Sequence, residues 1–251
     1  VFVRFEEVAQ AQTVRQLDAF VNREVLGELR EIVARLVDFV GFLRFFDFEN
    51  FGMIDVIAPW IESGQIRAIC VDGIDGETWS NRAADNRWRI EQHERWYHYV
   101  TEELIPEVRK RKTETFLVTG CSMGAFHAGN FFFRRPDIFD TVIALSGLYS
   151  ASYGFPMYSD ELTFMNSPID FIREMAPDHP WIDLYKKRKI FICVGQGRWE
   201  DELLESTRLL DTVLCQKGIP AYMDYWGFDV DHDWCWWKVQ LPYFVEKALA
   251  K

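Results

Sequence analysis

Long apolar runs are missing from this sequence. No stretch approaches the roughly 20 consecutive apolar residues that a membrane-spanning helix needs, so we expect no membrane insertion. The first ten residues also lack the basic and then apolar pattern of a secretory signal peptide. Because the chain starts at Val1 and not at methionine, removal of residues from its N-terminus stays an alternative. We expect a cytoplasmic protein.

Cysteine pairs and cofactor motifs are missing as well. The five cysteines form no CxxC pair and have no metal-binding spacing, which favours a reducing compartment. There is no GxGxxG pattern, and Gly195-Gln196-Gly197 is too short to cradle phosphates. The acidic residues around His232 have no zinc-like spacing. We therefore expect neither a cofactor nor a metal.

Basic residues are few relative to acidic ones. The chain has 28 Lys and Arg against 39 Asp and Glu, a formal net charge of −11. Nucleic acids and anionic membranes attract positive charge, so we expect neither as a partner. A small molecule is the expected partner, and the sequence also permits a homo-oligomer.

Apolar material, in contrast, is plentiful. Hydrophobic residues make up 49% of the 251 residues and aromatic residues 16%. A chain of this length and composition can form one domain with a large core. We expect a single domain over residues 1–251.

From residue 66 onward, short apolar runs alternate with longer amphipathic ones. Strands are predicted at 66–71, 115–119, 141–145, 189–194 and 221–226, and helices at 91–112, 125–133, 202–217 and 237–251. Pro106 interrupts the first of these helices. Strands that are apolar throughout and separated by helices indicate a mostly parallel sheet with helices on both faces. The predicted fold class is α/β.

Two segments depart from this alternation. Residues 147–188 are rich in Tyr, Ser, Pro, Met and Asp and have little periodicity. We interpret them as an insertion of short helices and loops that either shapes a substrate cleft or only packs on the sheet. Residues 14–37 carry a helical stripe of apolar residues, which taken alone predicts one long helix.

The segment Gly120-Cys121-Ser122-Met123-Gly124 matches the G-x-S-x-G pattern. It lies directly after a predicted strand and directly before a predicted helix, the context of a nucleophilic serine on a tight turn. In that turn the Met123 backbone N–H lies at a helix N-terminus, where it can stabilise an oxyanion. Ser122 is the candidate nucleophile and Met123 the candidate oxyanion donor; an ordinary turn is the alternative.

A serine nucleophile needs a general base. His93 and His98 fall on the predicted helix 91–112, His127 lies just beyond the elbow, and His179 lies in the insertion. His232 follows the last predicted strand and precedes the last helix, at the carboxyl edge of the sheet. His232 is therefore the candidate base.

The third member of a triad orients the histidine. It is expected after the strand 189–194, where Glu200 and Asp201 are adjacent, and Glu202 is better explained by the start of the following helix. The order serine, acid, histidine is that of α/β-hydrolases. Spacing alone leaves Glu200 and Asp201 both open.

Several segments resemble the esterase branch of the α/β-hydrolase superfamily, which includes esterase D, feruloyl esterases and mycolyltransferases. They are GCSMGAFHAGN at 120–130, RPDIF at 135–139, ALSG at 144–147, FENFGMID at 48–55, CVDGIDGETW at 70–79, WG at 226–227, HDW at 232–234 and WW at 236–237. The resemblance covers about residues 45–250. It implies an α/β-hydrolase fold without a cofactor, with Ser122 as nucleophile and His232 as base, and it favours Glu200 over Asp201.

The N-terminal segment departs from that resemblance. These relatives begin with antiparallel strands, so the resemblance predicts strands within residues 1–44 where the apolar pattern predicts a helix. We favour strands, since the sheet needs an edge there. The second oxyanion donor is expected to be a backbone N–H within about residues 39–44, although only one glycine lies in that stretch.

The resulting hypothesis is a serine carboxylic-ester hydrolase that works through an acyl-enzyme on Ser122. A small-molecule ester is the expected substrate. Acyl transfer to an alcohol is the alternative within enzymes, because it uses the same acyl-enzyme. A catalytically silent hydrolase-fold protein that binds ligands is the alternative outside enzymes.

Overall fold

A computed structural model describes residues 2–3, 37–42, 51–110 and 115–250. Its centre is a seven-stranded sheet in the order β1-β3-β2-β4-β5-β6-β7, and every neighbouring pair is parallel. The strands are β1 Phe2–Val3, β2 Val37–Phe42, β3 Ile66–Val71, β4 Thr115–Cys121, β5 Phe139–Leu145, β6 Lys189–Val194 and β7 Tyr222–Tyr225.

Helices separate most of the strands along the chain. They are α1 Met53–Glu62, α2 Asn86–His98, α3 Ile105–Arg109, α4 Met123–Arg134, α5 Glu161–Met165, α6 Pro168–Glu174, α7 Pro180–Tyr185, α8 Asp201–Gln216 and α9 Trp234–Leu249. None of the helices in the described ranges has both the length and the apolar character needed to cross a bilayer.

Both faces of the sheet are covered by apolar side chains. Along β5, Val142 and Ala144 pack into a core with α2, α4 and α8, whereas Ile143 and Leu145 pack into a second core with α1 and α9. Because successive side chains of a strand point to opposite faces, a strand buried on both faces is apolar throughout. The predicted α/β class, a parallel sheet with helices on both faces, is confirmed.

The predicted helix over 91–112 is divided in the structure. Asp85 accepts a hydrogen bond from the Trp88 backbone N–H and starts α2 five residues earlier than predicted. A π-helical segment, Tyr99–Leu104, then leads into α3, whose second residue is Pro106. Proline lacks an N–H and its ring collides with the preceding turn, so it disturbs the regular α-helical hydrogen bonding at this point.

The predictions for residues 1–44 have a mixed outcome. Most of the helix predicted over 14–37 lies outside the described residues, but Val37 begins strand β2, so the helix prediction is wrong there. The preference for strands agrees with β1 and β2. The position expected at the sheet edge is taken by β1, while β2 lies between β3 and β4. Both strands are parallel to their neighbours, unlike the antiparallel strands that the resemblance implied.

The segment 147–188 consists of one 3₁₀ turn, Ala151–Tyr153, and the short helices α5, α6 and α7, as predicted. A buried ion pair attaches it to the rest of the fold. Arg134 donates to both carboxylate oxygens of Glu94 at 2.7 and 2.8 Å, and Asn166 in the segment donates to Glu94 at 2.6 Å. Burial alone would raise the pKa of Glu94, but the hydrogen bonds from Arg134 and Asn166 outweigh it and lower that pKa.

Candidate active site

Ser122 lies in the turn between β4 and α4. Its backbone angles are φ 56° and ψ −122°, a strained conformation for a residue with a side chain. The turn is held by the Ser122 backbone N–H, which donates to the Leu145 carbonyl on β5 at 2.9 Å. A Cβ on Gly120 would lie 2.2 Å from the Gly124 carbonyl carbon, so a tight turn requires glycine here.

His232 lies in the loop between β7 and α9, as predicted. Its Nε2 is 2.9 Å from the Ser122 Oγ, within hydrogen-bonding distance. The loop is fixed by the His232 backbone N–H, which donates to the Arg198 carbonyl at 3.0 Å. The imidazole also meets the indole of Trp237 edge-on, with ring centroids 4.8 Å apart.

Of the two candidate acids, Glu200 is the one beside the histidine. Its Oε1 lies 3.4 Å from the His232 Nδ1, looser than a direct hydrogen bond, and its side chain is buried. The same oxygen accepts a hydrogen bond from the Ser146 hydroxyl at 2.6 Å. The Trp237 indole N–H donates in turn to the Ser146 hydroxyl oxygen at 3.2 Å. Asp201 is exposed in the first turn of α8.

The backbone before Glu200 explains its direction. Trp199 adopts a positive φ of 65°, which reverses the chain so that Trp199 is exposed while the next residue turns inward. Gly195 and Gly197 bring this loop against Val230, where a Cβ on Gly195 would lie 2.2 Å from the Val230 carbonyl oxygen. The acid loop and the histidine loop are therefore packed backbone to backbone.

The environment of Ser122 also contains possible oxyanion donors. The backbone N–H of Met123, the first residue of α4, has no acceptor within the helix. In the sheet, Phe42 at the end of β2 pairs in register with Gly120, so β2 ends beside the elbow. Residues 39–42 of the expected second-donor segment belong to β2; residues 43 and 44 lie outside the described residues.

The other four histidines do not contact Ser122 in the structure. His93 and His127 are buried, and the His127 Nε2 is 2.8 Å from an Asp75 carboxylate oxygen. His98 is exposed, and His179 accepts a hydrogen bond at the start of α7. Across the described residues, no group of three or more His, Cys, Asp and Glu side chains is arranged to hold a metal ion.

A cleft of about 370 Å³ opens next to Ser122. One wall comes from the loop after β3, which contributes Trp79 and Arg82, and an adjoining wall comes from the insertion, which contributes Tyr153 and Gly154. The insertion therefore shapes a cleft, the first of the two roles considered for it. Ligand clefts in proteins have comparable volumes.

Comparison with known families agrees with this geometry. A family model described as "Putative esterase" matches residues 46–247. The chain belongs to this esterase family. No curated protein sequence matches the chain.

Solved structures share the fold of this esterase. A ferulic acid esterase is 19% identical with a TM-score of 0.62, and the match covers 85% of this chain and 84% of that one. An S-formylglutathione hydrolase from Agrobacterium tumefaciens is 16% identical with a TM-score of 0.63, covering 86% and 83%. An S-formylglutathione hydrolase from Staphylococcus aureus is 12% identical with a TM-score of 0.59, covering 86% and 82%. These likenesses establish the α/β-hydrolase fold.

Two residues near the site were missed at the level of sequence. Ser146 lies in the ALSG segment, but nothing in that segment indicates a contact with an acid 54 residues later. Arg89 lies on an amphipathic helix, where an arginine is ordinarily solvent-exposed, yet it is buried. Long-range pairing of this kind leaves no local pattern.

Proposed function

We propose that this esterase hydrolyses small carboxylic esters through an acyl-enzyme on Ser122. The observation that carries the proposal is the 2.9 Å contact between the His232 Nε2 and the Ser122 Oγ at a strained strand-to-helix turn. A base at this distance can accept the hydroxyl proton as the oxygen attacks. Membership of the esterase family supports the same chemistry.

The reaction has two halves. His232 accepts the Ser122 proton while Oγ attacks the acyl carbon, and the Met123 N–H donates to the resulting oxyanion. The tetrahedral intermediate collapses, the ester C–O bond breaks, and His232 returns the proton to the leaving alcohol. Water then attacks the acyl-enzyme with His232 again as base, which releases the acid and restores the Ser122 hydroxyl.

Glu200 is the acid in this proposal. When His232 takes up the proton it becomes positive, and a buried carboxylate 3.4 Å from its Nδ1 stabilises that charge and orients the ring. The Ser146 hydroxyl keeps one Glu200 oxygen hydrogen-bonded while the carboxylate is buried. The exposed Asp201 is assigned no part in the reaction.

A fluorophosphonate probe tests the proposal directly. We expect covalent labelling of wild-type protein at Ser122, located by peptide mass spectrometry, and no labelling of Ser122→Ala. Turnover of short-chain and aryl-containing esters, followed in water and with an added alcohol, separates hydrolysis from acyl transfer. A folded wild-type protein that is neither labelled nor active on any ester would instead indicate the silent binding protein. A cytoplasmic location and a single domain over the whole chain stay predictions.

A further inference from the structure

Arg89 is a buried arginine that binds main-chain carbonyls. It lies in the first turn of α2, and only 1% of its surface is exposed. Its Nε donates to the Thr78 carbonyl at 2.7 Å, and its Nη2 donates to the Trp79 carbonyl at 2.9 Å and to the Gly154 carbonyl at 2.8 Å. The rigid guanidinium plane therefore fixes these three carbonyls relative to one another.

These carbonyls belong to the two adjoining segments that form walls of the cleft beside Ser122. Thr78 and Trp79 lie in the loop after β3, and Gly154 lies in the insertion. Trp79 and Gly154 pack directly on each other. In addition, the Arg89 guanidinium joins the two walls by hydrogen bonds to carbonyls of both. Its face also lies over the Phe155 ring, 4.4 Å from the centroid.

The hydrogen bonds of this arginine depend on where the two walls lie. In the ranges that the structure describes, Arg89 forms no ion pair with a carboxylate. Burying an unpaired charge costs several kcal/mol, and here the three carbonyls and the Asn86 side-chain oxygen, to which Nη1 donates at 2.8 Å, accept its hydrogen bonds. The carbonyl bonds offset that cost only in the geometry observed, so the arrangement selects one separation of the walls.

Trp79 is held in one orientation where the two walls meet. Its indole N–H donates to the His93 Nδ1 at 3.0 Å. Burial keeps the pKa of His93 well below its usual range, so the ring is neutral and Nδ1 can accept this bond. On the other side, Gly154 approaches so closely that a Cβ there would lie 2.3 Å from the Trp79 Cε3.

We propose that Arg89 is a positioning residue that fixes the separation of the cleft walls and thereby determines how large an ester group binds beside Ser122. It does not touch the reacting atoms; it acts through Trp79 and Gly154. The inference rests on the proposed function, because it assumes that the cleft receives one of the two groups of the ester.

The test is steady-state kinetics of Arg89→Lys. Lysine keeps the charge, but its three donors diverge from a single nitrogen and do not reproduce the planar fork from which Nε and Nη2 reach the three carbonyls. Methyl acetate, methyl 3-phenylpropionate and 2-phenylethyl acetate vary the acyl and the alcohol group separately. For the bulky ester that the wild type prefers, we expect KM to rise about 10-fold, equivalent to about 1.4 kcal/mol, while kcat changes less than about 3-fold. The loss for methyl acetate should be smaller.

Arg188→Lys is the matched control. Arg188 also donates to a main-chain carbonyl, that of Pro136 at 2.8 Å, but it precedes β6 at the end of the sheet remote from Ser122. We expect its KM values to stay at the wild-type level. An unchanged KM for the bulky ester in folded Arg89→Lys, or an equal rise in Arg188→Lys, overturns the proposal.

A second variant and a second readout cover the case in which Arg89→Lys does not fold or no ester is turned over. Gly154→Ala places a methyl group against Trp79 without altering Arg89 and should lower the selectivity for the bulky ester in the same way. The Trp79 indole N–H resonance, assigned with Trp79→Phe, should shift in Arg89→Lys and not in Arg188→Lys. If the wild type neither reacts with fluorophosphonate nor turns over any ester, the proposed function fails, and this resonance still decides whether Arg89 holds the wall. An unshifted resonance in folded Arg89→Lys contradicts the inference.

Discussion

Ser122 lies between two regions that are held together in different ways. On one side, His232, Glu200 and Ser146 come from loops at the carboxyl ends of β7, β6 and β5 and contact one another through side chains. On the other side, the cleft walls are joined by Arg89 through main-chain carbonyls. We call the first region the triad side and the second the wall side.

The difference bears on what each region does. In the proposed reaction, a side-chain contact on the triad side transfers a proton or stabilises the protonated His232, so its loss should appear in kcat. The wall side holds backbone in place, and its buried charges lie away from the reacting atoms, so changes there should appear in KM or in stability. The following predictions test this division, beginning with the largest expected effect.

Removal of the nucleophile is the most severe change on the triad side. Ser122→Ala should lower ester turnover by roughly 10⁴- to 10⁶-fold because no acyl-enzyme can form. The far-ultraviolet circular dichroism and unfolding midpoint should stay near wild type. Turnover within a few-fold of wild type in the folded variant would sink the assignment of Ser122.

The two neighbouring acids distinguish a buried group from an exposed one. Glu200→Gln should lower kcat by on the order of 10⁴-fold, because the neutral amide no longer stabilises the protonated His232. Asp201→Asn should change kcat less than about 2-fold, since an exposed charge is screened by solvent. Steady-state kinetics of both variants checks this. A large fall in kcat for Asp201→Asn would instead assign the role of the acid to Asp201.

Glu94 belongs to the wall side, because Asn166 of the insertion donates to it, and the largest expected effect there is on the free energy of unfolding. Glu94→Gln leaves Arg134 buried without its ion-pair partner and should lower the free energy of unfolding at pH 7 by about 3 kcal/mol. Because the pKa of Glu94 is lowered in the folded state, its stabilisation is present above about pH 5 and is lost as the pH falls through the lowered pKa. The difference between the variant and the wild type should therefore shrink in acid.

Denaturant unfolding at several pH values measures that difference. Glu91→Gln is the control on the same helix: Glu91 pairs with Arg87 at 2.7 Å, but both side chains are 44% exposed. Exposed pairs contribute about 0–1 kcal/mol, so this variant should unfold close to wild type. Equal destabilisation by the two substitutions, or a 10-fold fall in kcat for Glu94→Gln, would contradict the division between the two regions.

The smallest effect is expected for the hydroxyl that holds the acid. Ser146→Ala leaves the buried Glu200 oxygen without that donor, a loss of roughly 1–3 kcal/mol for a buried polar group. We expect kcat to fall about 10-fold with KM unchanged. Ser206→Ala is the control, since buried Ser206 accepts a hydrogen bond from the Tyr149 backbone N–H and not from a group that binds the Glu200 carboxylate. Ser206→Ala should lower stability without changing kcat. A fall in kcat equal to that of Ser146→Ala would show that the effect of Ser146 is merely structural.

Much of the fold could be predicted because its causes are local. Strand β6 agrees residue for residue with the prediction for 189–194, since an uninterrupted apolar run reflects burial on both faces. The elbow at Ser122 was predictable because the close approach of Gly120 to the Gly124 backbone requires glycine at position 120. The division of the helix 91–112 was only partly predictable: Pro106 marks it, but the intervening π-helical segment has no signature of its own.

The sequence by itself determined the α/β class, the elbow with Ser122 and the placement of His232 after the last strand, because each follows from residue types in short windows. Only the tertiary structure shows that Glu200 and not Asp201 lies beside His232, since this depends on the positive φ of Trp199 and on contact between two loops. The same holds for Arg89. Its partners lie 10 to 65 residues away along the chain, and such contacts are set by how the loops pack and not by any local pattern.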